Sequence, residues 1–126
     1  MRAVDTNVLL RLLVRDDTNQ ANAAEEFVAQ GAWVSHLVLA EVVWVLDAAY
    51  GRSPAQLANA LATLLDHKQL TLQDPEVVAL ALARFRSRPS LGFSDCLVIE
   101  IARRAGHLPL GTFDRNLAKV EGALRL

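Results

Sequence analysis

The chain has 126 residues, 52% of them hydrophobic, which suits one globular domain over residues 1–126. Thirteen basic and fourteen acidic residues give a formal net charge of −1, which excludes the strong overall positive charge of many nucleic-acid-binding proteins. Cys96 is the only cysteine, so an internal disulfide and a cysteine-built zinc site are excluded, and a reducing compartment is indicated. Since the sequence has neither an apolar signal segment nor a run of about 18 apolar residues, we expect a cytoplasmic protein that does not span a membrane.

The hydrophobic pattern alternates between the period of strands and that of helices. Ala3-Val4 predicts a short strand and Thr6-Asn7 a capping pair that opens a helix, so Asp5 is expected at the corner between them. The other predicted elements, in chain order, are a helix from Thr18 to about Gln30, a strand at 32–35, helices over 36–50 and 54–67, a strand at 70–73, helices over 75–87 and 93–105, and a short strand within 107–112. This alternation predicts an α/β sandwich, in which helices cover both faces of a small parallel sheet of about four to five strands.

One acidic residue, Glu41, lies in the middle of a strongly apolar helix. At helical spacing it shares a face with apolar residues only, namely Leu37, Val38, Trp44, Val45 and Ala48. This pattern predicts that the Glu41 carboxylate points into dry or charged surroundings. A lone buried carboxylate costs several kcal/mol unless it is paired, protonated or bound to a metal. A functional role is therefore favoured over the alternative, a pair with a buried arginine.

Three further acidic residues begin helices or follow strands. Asp95 enters the helix over 93–105 with apolar residues continuing its face and no local partner, whereas Glu100 has arginines three and four residues later and is interpreted as a surface pair. Asp114 follows the last predicted strand, at the carboxyl edge of the sheet. Taken alone, Asp95 also fits an acid that interacts with the helix dipole, and Asp5 and Asp114 also fit turn or capping residues.

Taken together, these carboxylates indicate a metal site. Asp5, Glu41, Asp95 and Asp114 could converge at one end of one sheet, where four carboxylates cannot all ionise without a compensating cation. Oxygen ligands without cysteine or histidine suit Mg²⁺, with Mn²⁺ as a possible substitute. Such an ion neutralises phosphate charge and polarises a water molecule, so the pattern predicts hydrolysis of a phosphate ester.

Arginine accounts for eleven of the thirteen basic residues. Two groups of them, Arg84-Phe-Arg86-Ser-Arg88 and Arg103-Arg104, are candidates for local contacts with a polyanion, because a guanidinium group binds phosphate in a forked geometry. The alternative is a solvated arginine face without a ligand.

The acidic motifs, in their order, resemble those of PIN-domain ribonucleases. The matching stretches are Asp5-Thr6-Asn7 after an N-terminal strand, Glu41 in a tryptophan-containing helix, Phe93-Ser94-Asp95-Cys96 entering a helix, and Thr112-Phe113-Asp114 after a late strand. The resemblance extends from residue 3 to about residue 118, and the length and motif order are similar to those of VapC toxins of toxin–antitoxin pairs. It implies a PIN-like three-layer sandwich.

The resemblance also implies a function and roles for individual residues. The family pattern is that of a Mg²⁺-dependent endoribonuclease, usually a homodimer, which a small VapB-like antitoxin holds inactive. By similarity, Asp5 and Asp95 are the metal ligands, while Glu41 and Asp114 complete a catalytic set of four acids. Supporting or substrate-binding roles fall to Thr6, Asn7, Ser94, Thr112 and Asn116. The target is left open among transfer, ribosomal and messenger RNA.

Other classes of protein share parts of this pattern. A receiver domain of a two-component system also has an acidic Mg²⁺ pocket, but it would have an acidic pair after the first strand and a lysine after a late one. A haloacid-dehalogenase-type phosphatase would have an aspartate at position 7, where this chain has Asn7. A PIN-like module kept only for binding would be expected to have lost acids, and none of the four is missing.

Overall fold

The computed structural model describes residues 1–126 and divides them into two compact units, Met1–Pro75 and Glu76–Leu126. The expectation of a single domain over the whole chain stays a prediction. The elements in chain order are β1 (Arg2–Ala3), α1 (Thr6–Val14), α2 (Thr18–Val28), β2 (Ala32–Val34), α3 (His36–Ala48), α4 (Pro54–Asp66), β3 (Leu70–Leu72), α5 (Pro75–Ser87), α6 (Phe93–Ala105), β4 (Leu110–Thr112) and β5 (Ala123–Arg125), with single 3-10 turns at Pro89–Leu91 and Leu117–Lys119.

The first unit is built on a three-stranded parallel sheet in the order β1-β2-β3. In register, Arg2 lies beside Ala32, and Ala32 lies beside Leu70. Polar side chains cap the four helices, because the first amide groups of a helix have no partner within it. Asp5, Asp17, Ser35 and Ser53 supply these caps for α1, α2, α3 and α4, and the cap of α4 is a reciprocal capping box with Gln56. The caps fix where each helix begins relative to the end of the preceding strand or loop.

The second unit contains α6, most of α5 and a separate two-stranded parallel sheet of β4 and β5, in which Gly111 lies beside Leu124. Helix α6 ends at Gly106, whose φ of 83° lies in the left-handed region that a glycine adopts without strain. Strand β4 begins directly after Pro109, as expected for a residue that cannot donate to a sheet ladder. Cys96 is fully buried, and burial is the main cause that raises the pKa of its thiol to about 11.

The structure confirms the predicted α/β class, and the element boundaries differ from the expected ones mainly at ends and sheet edges. Helix α2 ends at Val28 rather than near Gln30, and the cap of α1 is Asp5 rather than Thr6-Asn7. The five strands form a sheet of three and a sheet of two, because the apolar pattern locates strands without specifying which strand pairs with which. No helix has the length and apolar character needed to cross a membrane.

Candidate active site

The first unit brings three of the predicted site residues together at the start of α1. Asp5 follows the buried Val4, and its Oδ1 accepts a hydrogen bond of 3.2 Å from the backbone N–H of Val8. The next residue, Thr6, donates from its hydroxyl to Oε2 of Glu41 on α3 at 2.8 Å. Thr6 is the residue after Asp5, so its hydrogen bond to Glu41 connects the segments that carry the two predicted acids. The backbone N–H of Val8 orients one oxygen of Asp5, and the hydroxyl of Thr6 orients one oxygen of Glu41.

The structure corrects the predicted surroundings of Glu41. Glu41 is exposed rather than dry, and the buried face of α3 consists of Leu39, Val42, Val43 and Leu46. Its neighbours at helical spacing, Leu37 and Trp44, are each 69% exposed. The prediction failed because α3 is apolar on nearly every side, so the sequence period does not specify which side is buried. The carboxylate instead lies on an apolar surface that faces solvent.

The second unit brings Asp95 and Asp114 together. Asp95 lies in the first turn of α6, and Asp114 follows β4. Partial burial, and then repulsion from the Asp114 carboxylate, raises the pKa of Asp95 above its ordinary value of 3.8. Two carboxylates that repel each other in this way form an environment that a cation would stabilise.

A turn fixes the position of Asp114. Its Oδ1 accepts hydrogen bonds from the backbone N–H groups of Asn116, at 2.8 Å, and Leu117, at 2.9 Å. The hydroxyl of Thr112 accepts the backbone N–H of Asp114 at 3.0 Å. The predicted supporting residues Thr112 and Asn116 therefore hold the loop that carries the acid.

Two residues to which the sequence assigned no role at this site hold Asn116 in turn: Ser90, which was not singled out, and Arg88, which was marked only as a candidate for contacts with a polyanion. Arg88 donates to the side-chain oxygen of Asn116 at 2.6 Å, and the Asn116 amide donates to the hydroxyl of Ser90 at 3.1 Å. Both lie between α5 and α6, and Ser90 and Arg88 are 26 and 28 residues away from Asn116 in the chain. No local spacing signals a contact over such a separation, so the sequence could indicate only that polar residues precede the Asp95 motif.

The remaining two predicted residues have less defined surroundings. Asn7 is exposed on the first turn of α1 and lines a cavity together with Asp5. Ser94 is exposed at the second residue of α6, next to Asp95. Within its own unit no hydrogen bond orients the Ser94 hydroxyl.

The arginine groups are largely occupied by contacts within the second unit. Glu100 was interpreted as a surface pair with the arginines three and four residues later. The contact with Arg103, three residues later, is present at 3.5 Å, but Glu100 is only 4% exposed, and its second partner is Arg84 at 3.2 Å rather than Arg104. Arg104 instead contacts Glu76 at 3.3 Å. The error arose because Glu100 pairs across to α5, which helical spacing within α6 cannot reveal.

The donor set at both groups fits a hard divalent cation. All the side chains concerned offer oxygen, and Mg²⁺ is commonly held by one or two carboxylates with water completing its shell. Neither unit by itself gathers three or more histidine, cysteine, aspartate or glutamate side chains around a common position. Within each unit, Asp5 with Glu41, and Asp95 with Asp114, supply two carboxylates each, which is the number that such a site requires.

A family model matches nearly the whole chain. The PIN domain model covers residues 2–123, and this range includes both groups of acids. Comparison with curated proteins and comparison with solved structures each gave no match. The six helices and small parallel sheets are those of a PIN-like sandwich, as predicted. The match over residues 2–123 places the chain in the PIN domain family.

Proposed function

We propose that the protein is a metal-dependent endoribonuclease. PIN domains are generally nucleases, and the PIN match over residues 2–123 is the observation that carries the proposal. The family does not favour a receiver domain or a phosphatase, two of the three alternatives from sequence. The third, a PIN-like module kept only for binding, differs from a nuclease in the cleavage test described below. The finer assignment, to RNA and to Mg²⁺, is supported by the oxygen-only carboxylates and by the resemblance of the motifs to ribonucleases of this family.

In this proposal, Asp5, Glu41, Asp95 and Asp114 act in one hydrolytic reaction, and the chain works as a single nuclease domain. Asp5 and Asp95 are the proposed metal ligands, and Glu41 and Asp114 complete the acidic set. Bound there, Mg²⁺ or Mn²⁺ supplies a counter-charge for the phosphate and polarises the attacking water.

The chain's own contribution is to orient the carboxylates before substrate arrives. Thr6 holds one oxygen of Glu41, and two backbone N–H groups hold one oxygen of Asp114. An oriented carboxylate needs no reorganisation during the reaction, which favours catalysis. The raised pKa of Asp95 supports its assignment as a ligand, since a bound cation would offset both the burial and the neighbouring negative charge of this carboxylate.

We further propose that the protein is the toxin of a VapBC-type pair and acts in the cytoplasm. The support is the resemblance in length and motif order to VapC toxins. A small VapB-like antitoxin would reach the acidic residues with an arginine, because a guanidinium group binds carboxylates in a forked geometry and competes with the metal. The proposal predicts a small reading frame beside the gene, and co-expression with its product tests this: a stable complex without RNA cleavage is expected, and unchanged cleavage would contradict the proposal.

A homodimer is also proposed. Leu37 and Trp44 lie on one face of α3, and each side chain is 69% exposed. Exposed apolar surface of this kind is commonly covered by another chain. Light scattering at micromolar concentration should give twice the chain mass. Trp44→Lys should shift the equilibrium toward the monomer, and a wild-type monomer would contradict the proposal.

The nuclease proposal is tested by incubating the protein with a mixed RNA pool. We expect cleavage in Mg²⁺ or Mn²⁺, none in excess chelator, and recovery when the metal is restored. Sequencing of the new ends identifies the target among transfer, ribosomal and messenger RNA. Full activity in excess chelator would contradict metal dependence, and an absence of any cleavage would contradict the nuclease assignment.

A further inference from the structure

A cavity of about 420 Å³ adjoins Asp5 in the first unit. It lies between α1 and α2 and is lined by Asp5, Asn7, Val8, Arg11, Gln20, Ala23, Ala24 and Phe27. Its volume falls within the range of small-molecule sites, which are concave, mostly apolar and equipped with a few polar groups. A second cavity of about 480 Å³ near the end of α1 contains none of the predicted site residues. The cavity beside Asp5 is therefore the one that adjoins the proposed active site.

The walls of this cavity combine flat apolar surface with amide groups. Val8, Ala23, Ala24 and Phe27 supply the apolar part, and Asn7 and Gln20 supply two carboxamides, each of which both donates and accepts hydrogen bonds. Phe27 is held in place by Arg2, whose guanidinium carbon lies 3.8 Å from the ring centroid. Of the two charged residues in the lining, Asp5 belongs to the proposed active site and Arg11 is paired with Asp16 at 2.7 Å. The rest of the cavity, an apolar slot with a fixed aromatic ring and carboxamides, suits a planar heterocycle.

We propose that this cavity binds a nucleobase of the substrate RNA, next to the scissile phosphate, and that it favours adenine. A carboxamide pairs with the adenine N7 acceptor and N6 amino donor, and single-stranded RNA is read by such contacts to splayed bases. The inference rests on the proposed function, because Asp5, as a metal ligand, would place the scissile phosphate at the mouth of the cavity. Asn7 and Gln20 are then specificity-determining residues, while the acids carry out the hydrolysis.

The first test compares two defined RNAs, an oligouridine and the same strand with one central adenosine. We expect the wild type to cleave next to the adenosine with the higher kcat/KM. Gln20→Ala should lower that preference about tenfold, since each good amide–base pair discriminates by this order. Ala23→Leu fills the cavity from the exposed surface of α2 and should raise KM about tenfold, because a base that cannot enter loses its stacking.

The matched controls are Asn22→Ala and Asn22→Leu, which make the same kinds of change on α2 at a position outside the cavity. Both should cleave like the wild type. Equal cleavage of both RNAs by the wild type, or unchanged behaviour of Gln20→Ala and Ala23→Leu, would overturn the inference and leave the nuclease assignment intact. If the cavity instead binds an apolar peptide, Ala23→Leu will weaken that complex without changing base preference, and this also overturns the inference.

A second measurement does not depend on cleavage. Titration with adenosine, followed by NMR of the side-chain amides, should shift the signals of Asn7 and Gln20 but not that of Asn22, and uridine should have a weaker effect. Ala23→Leu should abolish these shifts. Shifts that fail to distinguish Asn22 from the cavity residues would overturn the inference. Specific shifts in a protein that cleaves no RNA would support the base site and contradict the nuclease proposal.

Discussion

The buried carboxylate of Glu100 offers a quantitative test of the second unit. Glu100→Gln keeps the size of the side chain but removes the charge that both arginines contact, Arg84 at 3.2 Å and Arg103 at 3.5 Å. The amide oxygen can accept from one guanidinium group, and the amide N–H groups then face the donors of the other. Removing one partner of a fully buried pair typically costs about 3–5 kcal/mol. Because the two arginines are 31% and 34% exposed and regain some water, we expect a loss of about 2–3 kcal/mol.

A loss of that size should lower the melting temperature by roughly 6–12 °C for a chain of this length. The matched control is Glu76→Gln, which breaks a contact of 3.3 Å with Arg104 at the surface, where Glu76 is 72% exposed. Exposed pairs contribute less than about 1 kcal/mol, so this variant should unfold close to the wild type. Urea denaturation of both variants, with unchanged slopes, measures the difference. Equal midpoints for the two variants would refute the assignment of Glu100 as a buried ion-pair centre.

Three further predictions concern the acids and the arginines. Thr6→Val should lower kcat about tenfold by releasing Glu41, while Thr6→Ser should retain most activity; equal rates for both variants would contradict the orienting role. In chelator, Asp95 keeps its proton to higher pH in the folded chain than in the unfolded chain, so its contribution to the free energy of unfolding falls as pH rises from 3.8 through the raised pKa. Asp95→Asn should therefore match the wild type in stability below pH 3.8 and be more stable than the wild type above the raised pKa. Urea denaturation of both proteins, below pH 3.8 and above the raised pKa, checks this. Cleavage at limiting RNA should weaken with rising salt, because each phosphate contact releases counterions, and Arg86→Gln should reduce the slope of log kcat/KM against log salt. A rate that does not depend on salt, or a slope that is the same in Arg86→Gln and the wild type, would count against RNA contacts by the arginines.

Local features of the fold were predictable because their causes are local. Ser53-Pro54 specified the start of α4, Gly106 specified the end of α6, and the apolar run Ala3-Val4 placed Asp5 at a strand-to-helix corner. These signals depend on capping and on backbone conformation within a few residues. The supporting roles of Thr112 and Asn116 came instead from the resemblance to PIN-domain ribonucleases, and in the structure both residues form hydrogen bonds with Asp114 within one turn.

Features that depend on contacts distant in sequence were not predictable. The sequence could not place the buried side of α3, because that helix is apolar all round and Glu41 is distinguished only by its contact with Thr6, 35 residues away. It misassigned Glu100 because the decisive partner, Arg84, is on another helix. The roles of Arg88 and Ser90 were missed for the same physical reason: tertiary packing, rather than local spacing, creates their contacts with Asn116.

Single-turnover RNA cleavage by Asp95→Asn in saturating Mg²⁺ measures whether the protein is a nuclease that works through its carboxylates. Asparagine keeps the size and one oxygen of the side chain but removes the charge, so transition-state stabilisation should fall by several kcal/mol. We expect at least a hundredfold slower cleavage, at about 1.4 kcal/mol per factor of ten, by a protein that remains folded. Glu76→Gln, an equal change of charge at an exposed position of the same unit, should cleave at the wild-type rate. Cleavage by Asp95→Asn at the rate of Glu76→Gln would contradict a nuclease mechanism that depends on the Asp95 carboxylate.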